Sequence, residues 1–356
     1  MVYAERMKKD RFLPLPSSFV QFPRSSSEFG NRVGCLILSG GNGTRLGGEG
    51  PKGCISLPFL KGEPSLFQIL CEKIRERGRH IPIAVMTSPL NHRAILKHFC
   101  DHHYFGLDRS DLSFFSQSLV PAHEVLRSHD PSPDGRGKRD VGGKSIVCGM
   151  PGGNGGAFYH FCRQGIWDRW LCSGVKWVQV LPIDNPLAHP LDSDLLRMHR
   201  EFGVDLVLRC VHREDAEEEV GVVGHRNGRL SVCEYNELPW EIKYERYQGE
   251  LKFFLGNSGV FSCSMSWMKR IHDYPLPLHP VHKSGTFCSM GGEGEVPLFR
   301  YYETFLLDLF RYADTFRIVL DDRARSFLPI KRRSDLHRLA DFYRMRSWDG
   351  HNQHTI

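Results

Sequence analysis

Leu38 to Gly53 reads LSGGNGTRLGGEGPKG, which places seven glycines, an arginine and a lysine within sixteen residues. Such a loop can turn successive backbone N–H groups inward, because glycine has no Cβ and accepts positive φ, and this makes a nest for phosphate oxygens. Arg45 adds a planar fork able to clamp an oligophosphate through two bonds, and Lys52 adds a compact charge on a flexible stem. A lone glycine turn would be a tight connection with solvated cations. The density of glycine and positive charge here points to phosphate. A dinucleotide fingerprint does not fit, because Leu46 stands where its last glycine belongs and Pro51 interrupts the helix it requires. Gly137 to Ser145 approaches a Walker A loop, but Gly143 occupies the lysine position and Lys144 falls one place late.

Other residues carry weaker meanings on their own. Asp184 ends an apolar run and precedes Asn185 and Pro186, which suits a turn or cap residue as well as a metal ligand. Asn154 lies among glycines and tolerates a left-handed backbone, Gln117 follows a strand, and Lys331 stands in a basic run. Glu234 and Asn257 read as solvated polar residues. His279 with His282, and the adjacent His102 and His103, have no partner legible along the chain and are assigned ordinary structural places.

The elements that must position these residues alternate in type. Val33 to Leu38 is an apolar run delivered into the glycine loop, which predicts a buried strand. Leu66, Ile69, Leu70 and Ile74 have helical spacing over Leu66 to Arg77, with Gly78 as the expected C-terminal cap. Ile81 to Met86, Leu112 to Phe115 and Trp177 to Ile183 predict further strands, and Ala94 to Phe99 a second helix. Alternation of this kind predicts a mainly parallel sheet with helices on both faces. Pro121 to Gly156 is rich in proline, glycine and charge and is expected to be mostly loop. Val204 to Phe261 is strand-rich, Phe305 to Tyr312 predicts a helix, and Arg317 to Leu320 a last strand. The last twenty residues are expected to be helical and then frayed.

Bulk properties restrict the function. At ~150 residues per domain, 356 residues make roughly two domains, or one large domain with extensions. The longest apolar runs are only a few residues, short of the ~20 a membrane-spanning helix needs, and Met1 to Phe19 builds no signal-peptide core. Eleven cysteines without a C-x-x-C pair predict reduced thiols and a cytoplasmic location. The net charge of +6 suits an anionic small substrate and is too diffuse to indicate nucleic acid.

The Leu38 to Gly53 segment resembles the signature of the UDP-N-acetylhexosamine pyrophosphorylases, within the wider family of UTP:sugar-1-phosphate uridylyltransferases. Their loop reads L-x-G-G-Q-G-T-R-L-G, three residues, then P-K-G; here Asn42 replaces the glutamine. The similarity continues in order through Tyr104 to Leu107 (YFGL), Phe114 to Gln117 (FFSQ), Pro151 to Gly156 (PGGNGG), Ile183 to Leu187 (IDNPL), Val220 to Val223, Glu234-Tyr235, Gly256-Asn257 and Phe327 to Lys331 (FLPIK). The resemblance implies a nucleotide-diphosphosugar-transferase-like (Rossmann-like) α/β fold, with its cleft at the C-terminal ends of parallel strands. It also implies an N-terminal arm over 1–32, a catalytic domain over 33–320 and a C-terminal segment over 321–356.

The implied reaction joins UTP and a hexose 1-phosphate into a UDP-sugar and pyrophosphate. Arg45, Lys52 and Lys331 would act on the phosphates. Leu38, Ser39, Gly40, Gly41, Lys52, Gln117, Gly153 and Asp184 would bind UTP, with Gln117 and Gly153 at the uracil and Asp184 holding Mg2+. Asn154, Gly221, Glu234, Tyr235, Asn257 and Lys331 would bind the sugar phosphate. One departure stands out: Tyr301, beside Arg300, occupies the place of a family lysine that reaches the UTP phosphates, so Arg300 substitutes or one contact is missing. A glucose 1-phosphate enzyme of the same family, a catalytically weak nucleotide-sugar-binding protein and a purely structural homologue are the alternatives.

Overall fold

A computed structural model of the chain describes residues 12–22, 32–41, 43, 46, 50–124, 146–289 and 292–348. The central sheet is built on β1 (Val33–Leu38), β2 (Ile83–Thr87) and β3 (Leu112–Ser116). A second, smaller sheet begins with β4 (Leu119–Glu124) and β5 (Ile146–Pro151). The chain then returns to the central sheet with β6 (Trp177–Pro182), β7 (Leu206–His212), the hairpin β8 (Val222–Arg226) and β9 (Arg229–Cys233), and β10 (Leu255–Ser264). Next come β11 (His279–Ser289) and β12 (Gly292–Glu303) of the smaller sheet, and finally β13 (Phe316–Asp321).

Across the central sheet the order is Val20–Gln21, β13, β7, β10, β6, β1, β2, β3. All neighbours along it are parallel except at β10, which runs antiparallel to both β7 and β6. The period-2 alternation of the strands sorts their side chains into two cores. Leu36, Ala84, Met86, Val178, Val180, Leu208 and Ile318 face one side, where helices α3 (Ala157–Arg163), α4 (Ile166–Cys172) and α6 (Met265–Ile271) cover them. Cys35, Ile37, Ile83, Val85, Leu181, Val207 and Val319 face the other, under α1 (Leu66–Arg77), α2 (His92–Asp101), α5 (Ser193–Phe202) and α7 (Arg333–Trp348). Helices thus lie on both faces of a mixed, mainly parallel sheet.

Several expectations need correction. Pro121 to Gly156, expected to be mostly loop, contributes the end of β4 and all of β5, which pair antiparallel, and β4 joins β12 at Arg300 and Phe299. Residues 125–145, including the Walker-like segment, fall outside the described part. Proline and glycine concealed strands whose partners lie far along the chain. The N-terminal arm is partly sheet: Phe12–Leu13 pairs with β8 and Val20–Gln21 with β13. Helix α1 ends at Arg77 as expected, but Gly78 continues in extended backbone (φ 168°) rather than in a left-handed cap. The helix expected over Phe305 to Tyr312 is present, as the 3-10 helix Leu306–Tyr312.

A buried charge cluster ties the second half of the sheet together. Arg209, on β7, bridges Asp192 at the N-cap of α5 and Asp321 at the end of β13, with Asp194 3.7 Å away. Removing the cation would leave carboxylates buried without a counter-charge, which costs far more than the pair contributes. Arg209→Met is therefore expected to lower stability by ~3–5 kcal/mol, read as a fall in the guanidinium midpoint with an unchanged m-value.

Candidate functional site

The strand ends converge. β1 delivers Ser39, buried, whose hydroxyl donates to Met86 O at 2.9 Å. Asn91, just ahead of α2, donates to Ser39 O at 3.0 Å and to Gly41 O at 3.4 Å, so a buried amide anchors the start of the glycine loop. The described part of that loop is held by Gly43 N–H to Gly50 O (3.2 Å) and Leu46 N–H to Gly43 O (2.8 Å). Asn42, Thr44, Arg45 and residues 47–49 lie outside the described residues.

Gln117, just past β3, lies over Gly40. Its amide donates to Gly40 O at 3.4 Å, and a Cβ on Gly40 would come within 2.2 Å of it, so any larger residue there would displace the Gln117 amide. The Gln117 Oε1 is buried and accepts no hydrogen bond among the described residues. Gly152 N–H donates to Ser118 O at 3.2 Å, which brings the glycine loop after β5 beside Gln117. Gly153 has φ +82°, and a Cβ there would meet Thr304 O at 2.4 Å. Asn154 Oδ1 accepts from Leu306 N–H at 2.9 Å, so this side chain already pins the start of the 3-10 turn.

At the end of β6 Asp184 meets Lys52, with Nζ 3.1 Å from Oδ2 and both side chains about one quarter exposed or less. Lys52 opens a one-turn 3-10 segment whose Gly53 lies against the Phe67 ring of α1. The next residue, Asn185, is buried. Its Nδ2 donates to Ser326 O at 2.8 Å, and its Oδ1 accepts from Leu328 N–H at 3.1 Å and Leu187 N–H at 3.3 Å. Ile330 N–H then donates to Asp184 O at 2.7 Å. These bonds carry Lys331 to the same strand end. Lys331 Nζ donates to Glu219 O at 2.6 Å and lies 5.6 Å from the centre of the Tyr235 ring.

Tyr235 and Glu234 follow β9. Burial raises the Glu234 pKa, an effect that the nearby Lys331 charge opposes. Gly221 O accepts from Asn257 N–H at 2.8 Å, and a Cβ on Gly221 would lie 3.5 Å from Glu234 Oε1. Gly221, Glu234, Tyr235, Asn257 and Lys331 therefore form one neighbourhood, and Lys331 with Ile330 joins it to Asp184 and Lys52. The Asn257 Oδ1 turns back to Gly259 N–H at 3.2 Å.

Arg300 and Tyr301 lie on β12 in the smaller sheet. Tyr301 is fully buried against Ala122 and donates to Glu303 Oε1 at 2.7 Å. Arg300 stands on the opposite, exposed face, with its guanidinium 6.0 Å from the Tyr302 ring centre. His279, expected to lack partners, has two: Glu237 and Asp308, at 2.7 and 2.8 Å. Asn91, Asn185 and His279 are the contributors that sequence reasoning missed. Apart from the local bonds from Ser88 N–H to Asn91 and from Leu187 N–H to Asn185, their partners lie 29 to 143 residues away, and no local pattern signals those long-range bonds.

Asp184 fits a hard divalent cation of the Mg2+ type, which takes one or two protein carboxylates and completes its shell with phosphates and water. Among the described residues the one group of three side chains able to ligate a metal, His80, Asp108 and Asp111, precedes β2 and β3 at the opposite end of the sheet. No helix of the described residues is long and apolar enough to cross a membrane. The nine cysteines whose side chains are described are free, and burial pushes the Cys35 and Cys54 thiols up to about 12.

The profile of the family described as UTP–glucose-1-phosphate uridylyltransferase matches residues 5–347. A Saccharomyces cerevisiae UDP-N-acetylglucosamine pyrophosphorylase is 29% identical over 318 residues, which is 84% of this chain and 64% of that protein. The chain thus spans less than two thirds of the length of this relative. The crystal structure of the Trypanosoma brucei uridine diphosphate N-acetylglucosamine pyrophosphorylase, in complex with inhibitor, superposes with a TM-score of 0.71 at 29% identity, over 87% of this chain and 65% of that one. A solved structure from Entamoeba histolytica shares the fold, with a TM-score of 0.75 at 24% identity over 89% and 82% of the two chains.

Asn185 is expected to organise this end of the sheet. Asn185→Ala removes three hydrogen bonds and leaves buried backbone groups unpaired, so it should cost ~1–3 kcal/mol in thermal unfolding and speed amide exchange at Leu328 and Ile330.

Proposed function

The chain belongs to the UTP–glucose-1-phosphate uridylyltransferase family, and from that premise we propose that it transfers the uridylyl group of UTP to a hexose 1-phosphate. The product would be a UDP-sugar, with N-acetylglucosamine 1-phosphate as the preferred acceptor and pyrophosphate as the leaving group. The observation that carries this reading is the convergence of Lys52, Asp184 and Lys331 on one strand end beside a glycine loop.

The acceptor's phosphate oxygen is already a nucleophile, so the reaction needs no protein base. Its demands are in-line alignment of two polyanions and cations where charge grows in the transition state. Lys331 is suited to draw in the sugar phosphate, exchanging its bond to Glu219 O for a charged partner. Lys52, released from Asp184, would neutralise the α-phosphate, and Arg45 would hold the departing pyrophosphate. Mg2+ held by Asp184 would supply counter-charge between the phosphates.

The backbone of Leu38, Ser39, Gly40 and Gly41 would line the nucleotide. The buried, unpaired Gln117 Oε1 is matched to the imide N–H of uracil, with the Gly153 backbone at the same edge. Glu234, with Tyr235, Gly221, Asn257 and Asn154, would meet the sugar; a carboxylate held in a dehydrated pocket gains from accepting hydroxyl hydrogens. Free thiols suit a reducing, cytoplasmic setting. A second reading, a catalytically weak nucleotide-sugar-binding relative, is favoured by the burial of Tyr301 and the outward position of Arg300.

Pyrophosphate release measured with UTP and a panel of sugar 1-phosphates tests the proposal. N-acetylglucosamine 1-phosphate should give the highest kcat/KM, UTP should exceed CTP and ATP, and excess EDTA should abolish turnover. A preference for glucose 1-phosphate would overturn the sugar assignment alone, and no turnover with any pair would leave the binding reading. Lys52→Ala is expected to lower kcat by ~10²–10³-fold while weakening UTP binding much less.

A further inference from the structure

His279, at the head of β11, is buried with a carboxylate on each ring nitrogen: Nδ1 is 2.7 Å from Glu237 Oε1 and Nε2 is 2.8 Å from Asp308 Oδ2. Both contacts are hydrogen bonds only if both nitrogens carry protons, because a neutral imidazole has one N–H and would turn a lone pair toward one carboxylate. The ring also packs on Phe305, centroids 4.6 Å apart. Glu237 closes the turn that starts at Glu234, donating its N–H to Glu234 O at 2.9 Å. Asp308 belongs to the 3-10 turn Leu306–Tyr312 and also takes the Arg311 guanidinium at 2.9 Å. Glu234, Glu237, His279 and Asp308 line one small cavity together with Arg226 and Arg311.

We infer that His279 is a positioning residue whose imidazolium clamps the Glu234–Glu237 turn to the Asp308 turn and so sets where Glu234 and Tyr235 meet the sugar phosphate. This rests on the reading of Glu234 and Tyr235 as the sugar side of the site. Burial works against the ring's charge, but the bonds to Asp308 and Glu237 outweigh it and raise the His279 pKa to about 9. The folded-state value lies above the ordinary one, so the clamp contributes fully below pH ~6.5 and is lost as pH rises through about 9. The charged groups facing the ring are Glu237, Asp308, Glu234, Arg226 and Arg311, with Lys331 acting on Glu234.

The test compares the full chain with His279→Gln and, as a milder change at a partly exposed partner, Glu237→Gln. Amide exchange over residues 230–244 should accelerate ~10-fold or more in both variants, with residues 52–54 unchanged. The KM for the sugar 1-phosphate should rise ~10-fold while kcat and the KM for UTP stay within ~2-fold. In the wild type that KM should climb as pH passes about 9, and in Glu237→Gln the climb should begin at lower pH; a climb caused by a distant lysine would not move. Unchanged exchange in both variants, or UTP and sugar KM values that rise together, would overturn the inference. Absence of uridylyl transfer in the wild type would overturn the functional reading instead, and the exchange comparison would still decide the clamp.

Discussion

The hydrogen bonds of Asp184 and Asn185 to the 326–330 segment hold the site together. The backbone of Asp184 accepts from Ile330, and the side chain of Asn185 satisfies both Ser326 and Leu328. Buried backbone groups that find no partner are costly, so this amide leaves the returning chain little freedom to lie elsewhere. One consequence is electrostatic: Lys331 reaches the same strand end as Lys52. Another is architectural, since the C-terminal segment closes over the sheet and α7 can complete the core beneath it with Leu339.

Three ionic groups recur at the joints of the molecule, and each differs in exposure and role. Arg209 with Asp192 and Asp321 is deeply buried and joins α5 to β7 and β13. Lys52 and Asp184 are partly exposed at the strand end, where on the proposed function each would exchange its partner for a phosphate or a cation. His279 with Glu237 and Asp308 lies between them in exposure and joins the turn after β9 to the 3-10 turn after the smaller sheet. A pair in water contributes little, whereas a buried one is strongly committed to its geometry. On the proposed function, the gradient from Arg209 to Lys52 is a gradient from scaffold to chemistry.

Glycine serves two separate purposes in the loops. At Gly40 and Gly53 it makes room for neighbouring side chains, Gln117 and Phe67. At Gly153 both the positive φ and the close approach of Thr304 exclude a side chain, which locks the loop after β5 to the end of β12. The glycines of these loops thus also report the packing around them.

Local pattern was enough to identify the central strands, helices α1 and α2, and the order of the motifs, because a buried strand is a short apolar run and an amphipathic helix repeats every 3.6 residues. The Leu38 to Gly53 segment and the resemblance it carries were likewise legible, since those residues are contiguous. The strands β4, β5, β11 and β12 were not, because their stability comes from partners distant in the chain and their proline and glycine content resembles loop. The same limit explains His279: a histidine between two carboxylates is indistinguishable in sequence from a surface one, and only the folded chain brings Glu237 and Asp308 to its two nitrogens. Sequence alone determined the kinds of group available and the local elements that present them. Tertiary structure decided which groups share a site, because hydrogen bonds and ion pairs act over a few ångströms and the chain distances that separate their members are erased only on folding.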